Sequence, residues 1–535
     1  MTNWKGDPVV QTKYGAVKGS ADENNTFVWK AIPFARPPVG DLRWRAPQEP
    51  EPWEGTRDAT KFCSQCIQYM WVGGKVGDTP GGSEDCLYLN VWRPQTKETD
   101  LPVYVWIHGG GNSVGTATTE MYWGTSIANK EHVVYASMNY RLGPLGWFTH
   151  PALRTGNKLD DSGNYGTLDI IQSLKWIQAN IKAFGGDPGN VTIAGESAGA
   201  FNAMSLLLSP LAEGLFHKAI SESGMSPGVP VAAGEATVQN VLLKLLQKDG
   251  ISTDEAAASK RLENMSSAKI ATYLRSKPPE ELYSCYDQSG FGMIKNPNIF
   301  TDGTVIVAEG GKAFGSGTYP NKVPLIMGTN KDEMKLFLAF TPEAVKMDAQ
   351  TYQTITSYAS DLWKANGVDG IARQISSHPN HPNVYAYQFL WGSLKNDGST
   401  VVDKPLAAKI GACHGLETDF FLGNDGGFPK SLGLPLLTKQ NKPGRLALSD
   451  AIMSYIAQFI RTGNPGTGKA GANLPGWEPW SNNEGGPKCI LLDAGYDAID
   501  IKMSPRELTE AGLRAEIGKL PKELTEAIKA SCLHL

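Results

Sequence analysis

Two periodicities run through the chain. Short uninterrupted apolar runs, rich in β-branched and aromatic residues, predict strands buried on both faces; apolar positions recurring every three or four residues predict amphipathic helices. Residues 102–108 (PVYVWIH) and 133–138 (VVYASM) are of the first kind. Residues 167–184 are of the second, with Ile170, Leu174, Ile177, Ile181 and Phe184 at helical spacing, and the GGDP sequence at 185–188 predicts where that helix stops. A short strand is expected at 191–194, followed at once by a helix over 198–208. Further strands are expected at 218–222, 323–327 and 384–390. Helices are expected at 235–247 and at 449–461, the latter with Ile452, Tyr455, Ile456 and Phe459 on one side and Gly463 after it.

Strands alternating with helices predict an α/β fold, a large mostly parallel sheet with helices on both faces. Length alone, 535 residues, favours several domains. No repeat, low-complexity tract or Pro/Gly linker marks a boundary, however, so one domain over 1–535 is expected, with the extra helical segments as insertions. Residues 502–529 interleave charges of both signs, which predicts a solvated helix face.

Composition narrows the functional classes. A net charge of −4 provides no basic footprint for nucleic acid. No apolar run reaches the roughly 18 residues of a spanning helix. The first ten residues, MTNWKGDPVV, lack the apolar stretch of an intact signal peptide. Seven cysteines in this length exclude a disulfide scaffold but allow one local bridge.

The chemistry concentrates in two glycine-rich turns. Gly195-Glu196-Ser197-Ala198-Gly199 fits G-x-S-x-G and lies between an expected strand and an expected helix. That context gives the short pattern its meaning, because a serine lifted above a sheet edge on a sharp turn needs neighbours two residues away without side chains. Ser197 is therefore the expected nucleophile. Upstream, His108-Gly109-Gly110-Gly111 follows another strand. Consecutive glycines cost conformational entropy, which backbone approach to a developing oxyanion would offset. N–H groups of this glycine loop, with the N–H of Ala198, form the expected oxyanion hole, and His108 is read as a supporting residue.

In this architecture the acid and then the base follow the serine in the chain. Of the histidines beyond Ser197, His217 lies too close to it. His378 and His381 sit in a Pro-flanked HPNHP loop unsuited to a helical metal pair, and His534 is terminal. His414, between Gly411 and Gly415, remains as the base. Asp332 and Glu333, just after the 323–327 strand, are both candidates for the acid, and Asp302 is a rival better read as a turn aspartate.

The residues resemble the type-B carboxylesterase family, the cholinesterase-like α/β-hydrolases, across nearly the whole chain. The matching segments are residues 27–47, SEDCLYLN at 83–90, NYRLG at 139–143, FGGDP at 184–188, GESAGA, NKDE and HGLETDFFLG. The resemblance implies a serine carboxylic-ester hydrolase with Glu333 as the acid, His414 as the base, and Gly110 and Gly111, with Ala198, in the oxyanion hole. It implies an acyl-enzyme mechanism needing no metal or organic cofactor, and small to medium, largely uncharged esters as substrates. It also implies a disulfide between Cys66 and Cys86 and an ion pair between Arg43 and Glu84. A bridged pair favours an oxidising compartment and free thiols a cytoplasmic one, so localisation stays open, as does oligomeric state. Asn112 stands where an aromatic residue is usual, Trp147 where a Phe is usual, and Cys63 is extra. Tyr69 and Trp71 lie in the segment that borders the gorge in the family. Non-catalytic relatives typically lack the serine or the histidine, and both are present here. Acyl transfer and peptide hydrolysis from the same residues stay open as alternatives.

Overall fold

The computed structural model describes residues 4–72 and 75–531. Its centre is an eleven-stranded sheet. In chain order the strands are β1 (Ser20–Asp22), β2 (Thr26–Pro33), β3 (Tyr88–Pro94), β4 (Leu101–Ile107), β5 (Val134–Met138), β6 (Gly186–Glu196), β7 (Lys218–Glu222), β8 (Leu325–Asn330), β9 (Val384–Phe389), β10 (Cys489–Ala494) and β11 (Ile499–Ser504). Across the sheet they run β11-β10-β9-β8-β7-β6-β4-β5-β3-β2-β1. The strands from β5 through β4 and β6 to β10 pair in parallel, and the edges are antiparallel.

Every residue of β4, β5, β7 and β8 is buried, as the uninterrupted apolar runs require. Alternate side chains serve opposite layers. Val103, Val105 and Ile107 pack with Ile170, Leu174 and Ile177 of α1 (Tyr165–Asn180). On the other face, Tyr104 and Trp106 share a core with Ile452, Tyr455, Ile456 and Phe459 of a long late helix (Lys442–Thr462).

Several boundaries differ from the sequence expectation. After Asn180 the first helix tightens into a 3₁₀ turn (Ile181–Phe184) and stops at Gly185, whose φ is 79°. GGDP then begins β6, so that strand is longer than the 191–194 core and bulges between Gly186 and Val191. The late helix starts at Lys442, seven residues before the expected start at 449. Residues 502–529 are not one helix: β11 occupies the start, and two helices follow, Glu510–Ile517 and Lys522–Ser531. Leu513, Ile517 and Ile528 give these helices a buried face against Ile355 and Leu362 of the helix Ala349–Lys364. None of the described helices is long and apolar enough to cross a membrane.

Candidate active site

β6 ends at Glu196 and the next helix, α2 (Ala198–Leu207), begins at Ala198, so Ser197 alone makes the turn. Its φ of 56° and ψ of −124° are strained for a residue carrying a Cβ. The register aligns Glu196 with Glu222 of β7, and Ser197 N donates to Glu222 O at 2.9 Å. The flanking glycines allow the crowding: a Cβ on Gly195 would meet the Gly199 backbone, and one on Gly199 would strike the Ile107 carbonyl oxygen.

The loop after β4 lies directly against this turn. A Cβ on Gly109 would come within 2.9 Å of Glu196 Oε2 and 3.1 Å of Ser197 Cβ. Gly110 and Gly111 have φ of 105° and 60°. The loop's turn bonds are donated to Gly110 O by Ser113 N (3.1 Å) and Val114 N (2.9 Å) rather than by the glycines. Ala198 opens α2, so its N–H is one the helix cannot use. His108 is buried and stacked on Tyr140, ring centroids 4.5 Å apart, with Nδ1 2.9 Å from Gly109 O; burial lowers its imidazole to about 4, so the ring is neutral.

Glu333, just past β8, is fully buried. Its Oε1 accepts from Asn330 N (2.6 Å), Thr329 Oγ1 (2.6 Å) and Ser223 Oγ (2.5 Å), and its Oε2 lies 2.6 Å from His414 Nδ1. Asp332 does different work. It pairs with Lys335 at 2.9 Å and accepts from Ala412 N at 3.0 Å, fastening the loop that carries His414. Asp302 accepts from the N–H groups of Val305 and Ile306 and is a turn aspartate.

Around His414 the structure gathers carboxylates. Glu196 Oε1 lies 3.1 Å from His414 Nε2 without hydrogen-bond geometry, and Nε2 has no partner among the described residues. Ser223, at φ 54°, also lies 2.5 Å from Glu417 Oε1, and Asn330 Nδ2 bonds Glu417 Oε2. Glu222 is wholly buried, with both oxygens unpartnered among the described residues. Phe337 and Trp363 wall the ring, their centroids 5.0 and 5.2 Å away.

These contacts pull the titrations apart. Burial alone would lower the His414 imidazole, but Glu196 and Glu333 outweigh it and push it up to about 9. Glu333 is the reverse: its burial is outweighed by the ring and its hydrogen bonds, which hold it below the usual carboxylate value. Burial lifts Glu196 to about 7, while burial with Glu333 and Glu196 lifts Glu417 to about 8. Glu222 is raised well above the usual range by burial and by Glu417 and Glu196.

The other singled-out residues fall elsewhere. His217 Nδ1 accepts from Val191 N at 3.1 Å. His378 and His381 each bond a backbone carbonyl, of Gly315 and Pro382. His534 lies outside the described residues. Cys66 and Cys86 form a disulfide, and Arg43 Nε donates to Glu84 Oε2 at 2.7 Å. Tyr69 is buried edge-on against Tyr283, whereas Trp71 is half exposed and stacked on Phe291, centroids 6.3 Å apart. Trp147 is core packing against Tyr140. Asn112 is 1% exposed, its amide held by two other amides. Sequence reasoning assigned no role to Ser223, Glu222 or Glu417, although the spacing of Glu417 three residues after His414 was visible.

The family model described as the carboxylesterase family matches residues 6–369. The chain belongs to the carboxylesterase family. As a carboxylesterase it is 34% identical over 481 residues to the para-nitrobenzyl esterase of Bacillus subtilis (strain 168), covering 86% of this chain and 91% of that protein. It is 32% identical to carboxylesterase 1E of Rattus norvegicus, covering 89% of each. Among solved structures, a PNB esterase superposes with a TM-score of 0.72 at 29% identity, over 97% of this carboxylesterase and 100% of that chain. The carboxylesterase of Geobacillus stearothermophilus at pH 6.2 gives 0.70 at 27% identity, over 95% and 99%. The fold is thus the α/β-hydrolase fold of these esterases, and the protein is an ester hydrolase.

Proposed function

We propose that this carboxylesterase works through Ser197, His414 and Glu333. The observation that carries the reading is the orientation of one ring: Glu333 occupies Nδ1 of His414 and leaves Nε2 without a partner. Nε2 takes the proton of Ser197 as its oxygen attacks the ester carbonyl, and Glu333 fixes the tautomer and stabilises the imidazolium. The N–H groups of Gly110, Gly111 and Ala198 receive the oxyanion, each donor contributing roughly 3 kcal/mol to the transition state. His414 then protonates the departing alcohol, and water attacks the acyl-enzyme by the same route in reverse.

The substrates are small to medium uncharged esters. Above about pH 7, where Glu196 joins Glu333 in the ionised form, the two carboxylates beside His414 disfavour an anionic acyl group, and the aromatic walls of Phe337 and Trp363 suit an apolar one. The test is hydrolysis of p-nitrophenyl esters from acetate to long chains, with the monoester of succinic acid as the anionic probe. Wild type is expected to peak at one chain length and to disfavour the anionic ester. Ser197→Ala is expected to lose at least about 10⁴-fold in kcat. Turnover surviving in Ser197→Ala would overturn the assignment.

A further inference from the structure

The oxyanion hole as read above draws its donors from two separate pieces of chain, the 108–115 loop and the start of α2. Something must hold the two in register. One buried amide does so. Asn202, on α2, donates from Nδ2 to Asn112 Oδ1 at 2.8 Å. Asn112, the residue after Gly111, donates from its own Nδ2 to Asn298 Oδ1 at 3.0 Å, and its carbonyl accepts from Gly143 N at 2.7 Å. Asn298 is tied on to Asn296 O at 3.0 Å. Asn112 and Asn202 are 1% and 0% exposed.

Asn112 also has a φ of 55°. Asparagine is among the few side chains that tolerate this left-handed conformation. One residue therefore continues the backbone turn begun at Gly110 and Gly111 and anchors it at the side chain. An aromatic at this position could provide neither bond.

We propose that the Asn202–Asn112 hydrogen bond, extended to Asn298, is the clamp that sets the spacing between the glycine loop and the Ala198 N–H, making Asn112 and Asn202 positioning residues for the oxyanion. The inference rests on the proposed role of Ser197 and the oxyanion hole. Donors bound to a developing charge are sensitive to small displacement, and a misplacement of about 1 Å costs about a hundredfold in rate.

The experiment compares Asn202→Ala, Asn112→Gly and the double variant with wild type. The readouts are kcat and KM for a p-nitrophenyl ester and inhibition by an alkyl trifluoromethyl ketone, whose adduct with the serine bears the oxyanion. Each single variant is expected to lower kcat by about ten- to hundredfold. KM is expected to stay within about threefold, and ketone potency to fall by the same factor as kcat/KM. The double variant is expected to be no worse than the poorer single, because the bond lost in Asn202→Ala is already lost in Asn112→Gly. An unchanged kcat, a change confined to KM, or a double loss equal to the product of the single losses overturns the proposal. Where Asn202→Ala does not fold, Asn202→Asp keeps the shape and replaces the donor by an acceptor. Its kcat relative to wild type is expected to fall as the introduced carboxyl ionises and to recover when it is protonated; a flat ratio near one overturns the proposal. If Ser197→Ala is inactive and these variants are not impaired, only the clamp fails. If Ser197→Ala is active, the underlying reading fails.

Discussion

In the proposed mechanism His414 must be neutral to accept the Ser197 proton, so kcat/KM is expected to rise with pH as the ring deprotonates. Glu196 and Glu333 hold that deprotonation up to about 9, well above an ordinary histidine. The sign for Glu196→Gln follows directly: removing a negative charge beside the ring destabilises the imidazolium, so the rising limb moves to lower pH. The pH profile of kcat/KM checks this, and an unmoved midpoint would show that Glu196 does not act on His414. Ser197 and His414 were legible from the motif and by elimination along the chain, and Glu333 from its match to the family. Ser223 and Glu417 were not. Ser223 reaches Glu333 only because β7 lies between β6 and β8, a fact of strand order with no local signature. Asn112 was visible as a departure, but its meaning depends on Asn202 and Asn298, whose contacts with it are long-range.

Elements are held to the site by backbone approach and one covalent tie. Gly199→Ala would drive a Cβ into the Ile107 carbonyl, separating α2 from β4 where the proposed oxyanion hole brings Ala198 to the glycine loop. Activity is expected to fall by more than about a hundredfold, with far-UV circular dichroism retained, measured as ester turnover of folded protein. The Cys66–Cys86 bridge closes a loop with a sequence separation of 20, and its loss is expected to cost about 3 kcal/mol by loop entropy. Denaturant unfolding of Cys86→Ser measures that cost, and thiol titration of denatured protein should rise by two groups on reduction. The central strands were readable because burial on both faces leaves unbroken apolar runs. The N-terminal strands were not, since elements such as Ser20–Asp22 are three residues long and partly exposed. In the sequence the C-terminal helices read as one solvated face, because their buried positions, Leu513, Ile517 and Ile528, are sparse among charges.

At the scale of the whole molecule, the sheet buries titratable groups among its apolar residues. Glu222 is the extreme, with its proton held far above the usual range and no partner among the described residues for either oxygen. Above the unfolded value of about 4.3 the unfolded chain releases this proton while the folded chain keeps it, so stability drains away as pH rises. Glu222→Gln mimics the neutral acid and removes that loss. It is expected to raise the melting temperature at pH 8, with the gain shrinking towards pH 4, and an equal gain at both pH values would contradict this. No pattern in AISE announces such a group, because a glutamate in an apolar strand reads as one residue of polar noise. The tie between Cys66 and Cys86 has one more consequence. The half-exposed Trp71 sits on the hairpin inside that ring, so a chain break beside it would fall between the two cysteines. A break there would leave the two chain segments covalently joined, so nicked enzyme would migrate as one band on a gel until reductant released its pieces.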